Sequence, residues 1–335
     1  MRFKPVDRLL CLMVLSNLLV IGTLLELTGY AAHHKPKIAF TSGRDGNSEI
    51  YVMDADGKNQ RNLTNHPAGD SQPSWSPDGK RIAFISYRNG GNIQIFVMDS
   101  DGQNPIRLTD KVWDMNPAWF PDGRKIAFTG YKDAGLGNGT WNTDIYVMNP
   151  DGTSRKRLTR VPGNNSDPSW SPDSQKIAFV NSGNGASELY VMNANGTKQK
   201  RLTHDGVREN KREPSWSPDG QSIAFVYNDL RSIQIYAMDI HGENQRKLTD
   251  GAYDWSPAWS PDGEMIAYES WRGPDLISEI HLMTADGKYL KQLSGLHERG
   301  DWDPDWLDPS SLNVAAEGNR ITIWGRLKKL APDIR

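Results

Sequence analysis

One phrase constrains this chain more than any other feature. It is Pro73-Ser74-Trp75-Ser76-Pro77-Asp78-Gly79, followed at once by Lys80-Arg81-Ile82-Ala83-Phe84. It returns beginning at Pro117, Pro168, Pro214 and Pro257, and a decayed copy, Pro304-Asp305-Trp306-Leu307-Asp308-Pro309, closes the series. The steps between the six prolines are 44, 51, 46, 43 and 47 residues. A period in that range, built of short strands, is the signature of a propeller, whose blades cannot bury their faces alone.

Each unit carries four strand-sized pieces bounded by turn residues. Pro-x-Trp is the first. The second is Ile-Ala-Phe, at 38–40, 82–84, 126–128, 177–179 and 223–225, with Ile266-Ala267-Tyr268 as its variant. The third is an alternating run such as Glu49-Ile50-Tyr51-Val52-Met53, and the fourth ends in Leu-Thr, or in Leu293-Ser294 at its last occurrence. Pro-Asp-Gly joins the first pair of strands. Asp56-Gly57 and its relatives join the last pair, so each blade is four antiparallel strands. The Asp54-Ala55-Asp56-Gly57 and Asp99-Ser100-Asp101-Gly102 pieces read as such turns, since position twelve of a calcium loop would be Asn65 or Asp110 in place of Glu. Strands two to four occur six times from Ile38, and strand one six times from Pro73. The C-terminal copy, Asp303 to Trp306, is therefore expected to complete the blade begun at Ile38, latching a ring of six and removing its edges. The expected architecture is all-β, a six-bladed propeller over 36–310. The alternative is seven blades, with 311–335 as a partial last blade; otherwise 311–335 is a C-terminal strand pair or tail.

Residues 1–31 read as an export signal. Arg2, Lys4 and Arg8 precede an apolar run from Leu9 to Leu25, and Gly29-Tyr30-Ala31 offers a cleavage site. The alternative is an uncleaved anchor. Either way the protein is expected to be exported, as a periplasmic or secreted chain or one tethered to the membrane through this segment. Cys11 is the only cysteine, so the body can form no intramolecular disulfide and offers no thiol nucleophile. An exported chain of this kind fits a bacterium. A net charge of −2 gives no reason to expect a nucleic-acid partner.

Pro-x-Trp-Ser-Pro-Asp-Gly-x-x-Ile-Ala-Phe with a following Ile-Tyr-Val-Met-Asp resembles the propeller repeat of the TolB family of periplasmic proteins, over about residues 36–306. That family carries a separate α/β domain before its propeller, whereas here the repeats begin within a few residues of the signal segment. The resemblance implies a TolB-like propeller and a non-catalytic binding role.

No Gly-x-Ser-x-Gly, His-Glu-x-x-His, Gly-x-Gly-x-x-Gly or phosphate-binding loop occurs. No catalytic residue and no cofactor is therefore assigned. The six repeat tryptophans are expected between blades as core. Function is sought instead in loops on the rigid scaffold. The second-to-third-strand loops and the blade crossovers share one face and differ among repeats. They hold Arg44, Tyr87, Arg88, Trp113, Asp114, Tyr131, Lys132, Trp141, Arg212, Trp255, Trp271, Arg272 and Trp302. Aromatic rings beside arginine and aspartate suit a protein, peptide or glycan partner, bound by a monomer. His66, His204 and His297 lie on the same face, as in some lyase-like relatives of these propellers. They are the weaker alternative, a metal-assisted carbohydrate lyase or hydrolase at the channel mouth.

Overall fold

The computed structural model describes residues 36–307, apart from 112, 132–142, 184, 205–208, 230, 252, 273–276 and 296–297. The expected signal segment 1–31 and the tail 311–335 lie outside the described residues. So do Lys132, Trp141 and His297.

The strands fall into six four-stranded antiparallel sheets, which corrects the seven-blade alternative. Blade one holds β1 (Lys37–Ser42), β2 (Glu49–Asp54) and β3 (Arg61–Asn62). Blade two holds β4 (Asp70–Trp75), β5 (Arg81–Ser86), β6 (Gln94–Asp99) and β7 (Ile106–Arg107). Blade three is β8 (Met115–Trp119), β9 (Ile126–Tyr131), β10 (Thr143–Met148) and β11 (Lys156–Arg157). Blade four is β12 (Asn164–Trp170), β13 (Lys176–Ser182), β14 (Glu188–Asn193) and β15 (Lys200–Arg201). Blade five is β16 (Asn210–Trp216), β17 (Ser222–Asn228), β18 (Ile233–Asp239) and β19 (Arg246–Lys247). Blade six is β20 (Asp254–Trp259), β21 (Met265–Arg272), β22 (Ile277–Thr284) and β23 (Tyr289–Gln292). The last strand, β24 (Asp301–Leu307), pairs with β1, Ser42 facing Asp301 and Ile38 facing Trp306, and so supplies the inner strand that blade one lacks.

The repeated residues recur because the blade interfaces need the same contacts six times. In Ile-Ala-Phe, alternation sends Ile and Phe to one face and Ala to the other. Ile38 and Phe40 join the cluster shared with blade six, whereas Ala39 joins Trp75 in the cluster shared with blade two. Alanine and the next blade's tryptophan meet in the same way at Ala83 and Trp119, Ala127 and Trp170, Ala178 and Trp216, and Ala267 and Trp306. A small side chain there leaves room for the indole. Trp170 and Trp306 also donate their indole N–H to Ala118 and Ala258 carbonyls of the preceding blade at 3.1 Å.

The Leu-Thr ending has its own cause. Its hydroxyl accepts the backbone N–H fourteen residues earlier in all six blades, from Thr64 to Ile50 through Ser294 to Ile280, at 2.9–3.0 Å. The Ser-Pro-Asp-Gly turn is held by the serine hydroxyl donating to the aspartate, as Ser76 to Asp78 at 2.7 Å. Asp56 and Asp101 accept the amides of Lys58 and Gln103, as turn residues do.

The glycine of each outer turn is demanded twice over. Gly152 has φ +83°, and a Cβ there would stand 2.5 Å from the Leu108 carbonyl oxygen of the neighbouring blade. Gly152→Ala is expected to lower stability by about 2–4 kcal/mol, combining left-handed strain with a displaced blade contact. Gly90, at φ +70° with open space around its Cα, isolates the strain. Gly90→Ala should lose only about 1 kcal/mol. Equal losses in urea unfolding would refute the interface argument.

Candidate acidic and aromatic site at the channel mouth

The inner strands surround a channel, and each is broken one residue before its proline. Gln72, Asn116, Asp167, Glu213, Ser256 and Asp303 have φ between +50° and +53°, and the strand register shifts at each. Six side-chain-bearing residues in the left-handed region persist only where their surroundings fix them. Here the amides are fixed by neighbouring blades. Asn116 N–H donates to Gln72 Oε1 and Ser256 N–H to Glu213 Oε2, both at 2.8 Å, while Gln72 and Asp167 donate to Thr41 and Thr129 hydroxyls at 3.1 Å. The resulting girdle is polar and three of its six members are carboxylic acids.

At the loop end of the channel, beside blades five and six, lies a recess of about 370 Å³. Tyr253, Trp255 and Trp271 wall it, and Glu213, Glu269, Asp303 and Ser256 line it. A second recess of about 480 Å³ shares Glu269 and Trp271 and adds Trp302, Glu298 and Arg299. The Ser256 hydroxyl lies 3.3 Å from Glu213 Oε2 and 3.4 Å from Asp303 Oδ1. Trp271 donates its indole N–H to Glu269 Oε1 at 2.5 Å, which fixes the ring beside the carboxyl group.

Crowding the acids into this space holds protons on them. Burial, then the charges of Asp167 and Asp303, push Glu213 up to about 8. Burial, with Asp303 next, puts Glu269 at about 8. Asp303 is pushed by burial to about 6, against hydrogen bonds from Thr41 and Ser256. Glu213 and Asp303 keep some access to channel solvent, which moderates these shifts without reversing them.

The loop residues singled out in the sequence separate into two groups. Arg44 and Arg88 turn inward. Arg44 contacts both oxygens of the fully buried Asp301 at 3.1 Å and lies 4.4 Å from the Tyr51 ring centroid. Arg88 pairs with Asp70 at 2.7 Å over Phe84 and Phe96. Asp114 is likewise buried, paired at 2.6 Å with Arg155, which enters over Tyr146 through the space left by Gly130. These three act as locks within their blades, planar cations stacked on cross-strand aromatic pairs. Arg272 donates to the Tyr268 and Ser270 hydroxyls, 5.1 Å from the Tyr289 ring centroid, with its surface still exposed.

Trp255, Trp271 and Trp302 are brought together around the two recesses. Tyr87 and Trp113 stand exposed elsewhere on the rim, Arg212 is exposed beside Glu213, and Tyr131 ends β9. His66 accepts the Ala68 amide at its Nδ1 and His204 is exposed. Among the described residues no group of three His, Cys, Asp or Glu could hold a metal ion. Glu213, Tyr253, Glu269 and Asp303 were not anticipated. For Glu213 and Asp303 the available signal was the residue before each repeat proline, a varying polar position inside a constant phrase; Tyr253 and Glu269 lie outside that position.

The comparisons with known proteins agree with the propeller fold. A TolB homolog of Chlorobium luteolum is 30% identical over 165 residues, 47% of this chain and 34% of that protein. The Tol-Pal system protein TolB of Bordetella pertussis is 30% identical over 157 residues, with the same coverage of each. The matched part thus spans about a third of the length of these relatives. The crystal structure of TolB from Acinetobacter baumannii superposes with a TM-score of 0.70 at 24% identity, covering 81% of this chain and 66% of that one. An oligogalacturonate lyase from Vibrio parahaemolyticus superposes at 0.53 and 14% identity, over 77% and 74% of the two chains, a likeness of fold alone. The family described as the TolB beta propeller domain matches residues 32–136 and 111–307, and this chain belongs to it.

Proposed function

We propose that the chain is an exported, non-catalytic propeller of the bacterial envelope that binds a protein partner through the loop face of blades five, six and one. The observation that carries this reading is the convergence of Trp255, Trp271 and Trp302 on two adjoining recesses at one end of the ring. Tryptophans clustered over a rigid, partly desolvated floor, here Trp271 exposed with Trp255 and Trp302 half-buried beside it, are what interface centres are built from. Trp271 keeps 40% of its surface exposed although its indole N–H is already partnered, so the ring is held in place and still free to be covered. The relatives named for the Tol-Pal system favour a protein partner over a glycan.

A photo-crosslinking residue at position 302 should give a discrete adduct in intact cells. The same residue at Asp78, on the opposite end, should give none, and Trp255→Ala with Trp271→Ala should remove the adduct from position 302. Adducts from position 78 alone, or an adduct unaffected by the double substitution, would refute the assignment of the face. Export predicts that the mature chain begins at Ala32 and is released by osmotic shock; retention in the cytoplasm refutes it.

A further inference from the structure

We propose that the recess walled by Tyr253, Trp255 and Trp271 receives one organic cation, the ammonium end of a lysine side chain presented by the partner. This rests on the reading of that face as a protein-binding surface, and gives its chemistry. Three features of the recess agree on it. Its volume, about 370 Å³, is at the small end for ligand sites and suits a single side chain rather than an oligosaccharide. Its walls are aromatic, with Tyr253 and Trp271 39% and 40% exposed, and the faces of such rings attract cations. Its floor carries three carboxyl groups and no basic side chain.

The carboxyl groups are arranged for one compact donor. Glu213 and Asp303 lie 3.3 and 3.4 Å from the hydroxyl of Ser256 and Glu269 lines the same recess, so the three face one small region. An ammonium group has three N–H donors to give to three such acceptors, whereas a guanidinium presents a flat fork suited to one bidentate carboxylate. The methylene stem of lysine would lie along the indole faces while the charge reached the floor. A bare metal ion fits less well, because it carries no apolar stem to cover the faces of the three rings.

The other basic groups near the floor are already placed. Arg212 lies in β16 and is exposed, its charge acting on Glu213 and Asp167. Arg299 belongs to the neighbouring recess, and Arg272 is turned toward Tyr268.

The test uses the whole protein and Nα-acetyl-lysine methylamide, followed by tryptophan fluorescence and calorimetry. The norleucine analogue, which lacks the charge, and the arginine analogue are run beside it. Saturable binding of the lysine amide, roughly tenfold weaker or more in Trp271→Ala and in Glu269→Gln and unchanged in Ile106→Ala on an outer strand, is the expected result. Unaltered unfolding temperatures show that the variants remain folded. Equal binding of the norleucine analogue overturns the cation assignment. Equal or tighter binding of the arginine analogue overturns the ammonium assignment, and absence of saturable lysine binding overturns both. An adduct from position 302 that persists without lysine binding leaves the face reading standing and refutes this one. Lysine binding without any adduct does the reverse.

Discussion

A chain ending at Gly300 is expected to lose its cooperative unfolding transition, although it keeps 23 of the 24 strands among the described residues. The reason is that β24 is the inner strand of blade one. Without it β1 becomes an open edge whose Ile38, Ala39 and Phe40, all fully buried, lose their cover. Trp306 leaves the cluster it shares with Phe40, Met53 and Leu282, and an indole removed from a core costs about 3–5 kcal/mol. Asp301 is the one carboxylate paired with Arg44, and its removal breaks a largely buried ion pair from one side, a loss of up to about 3–5 kcal/mol that the remaining bonds to Ser42 and Gln60 only partly offset. Asp305 no longer accepts the Trp75 amide, bonded at 2.7 Å, at the first strand of blade two. These terms together reach the whole stability of a typical domain, about 5–15 kcal/mol. Near-ultraviolet circular dichroism during heating, with limited proteolysis at 25 °C, measures the outcome. A sharp transition within a few degrees of the intact chain would show that the ring does not depend on its latch.

That closure was legible in the sequence because it is a matter of counting. Six second strands begin at Ile38 and six first strands at Pro73, so one of each must meet across the ends of the chain. The tryptophans and outer-turn glycines were legible for a related reason, since a contact repeated six times leaves six copies of its residue. The loop arginines were read as surface contacts because nothing local shows where their partners are. Arg44 finds Asp301, 257 residues away, and a tilted Phe40–Tyr51 pair that exists only once β1 and β2 are registered. Asp114 finds Arg155 because Gly130 leaves the space that a Cβ would fill. The acidic recess is legible only after the ring has closed, since Glu213, Glu269 and Asp303 come from three blades. No local pattern links them. Their positions are those where the repeats disagree, inside strands that otherwise agree.

Raising the pH from 6.5 to 8.5 is expected to destabilise the propeller by about 2–4 kcal/mol, and Glu213→Gln to remove about half of that loss. Glu213 holds its proton up to about pH 8 in the folded chain, against an ordinary value of 4.5. Between those values the folded state binds more protons than the unfolded one, so stability falls as pH rises. Below 4.5 the difference vanishes, and above 8 the full loss has been taken. Glu269, also at about 8, acts in the same direction over the same window. Asp303, at about 6, has completed most of its change before the window opens. The opposite influence comes from His281, which burial pushes down to about 4. It gains stability as pH rises toward the ordinary histidine value of 6.5 and is neutral in both states beyond it, which is why the window starts there. Asp78 and Asp173, lowered in the fold by their serine partners despite some burial, stay ionised throughout. Asp305, which burial pushes up to about 7, adds a smaller loss early in the window. The share that belongs to Glu213 is set by the groups facing it: Asp167 and Asp303 raise its value, while Arg212 and the Ser256 amide lower it. Glutamine keeps the acceptor for Ser256 and discards the titration. In thermal scans the wild type should lose roughly 4–12 °C across the window, and the Glu213→Gln variant about half as much, becoming the more stable of the two at pH 8.5. A wild-type unfolding temperature that stays level, or a variant with an undiminished slope, would mean that the channel mouth holds its carboxylates ionised, with solvent or a bound cation supplying what the protein does not.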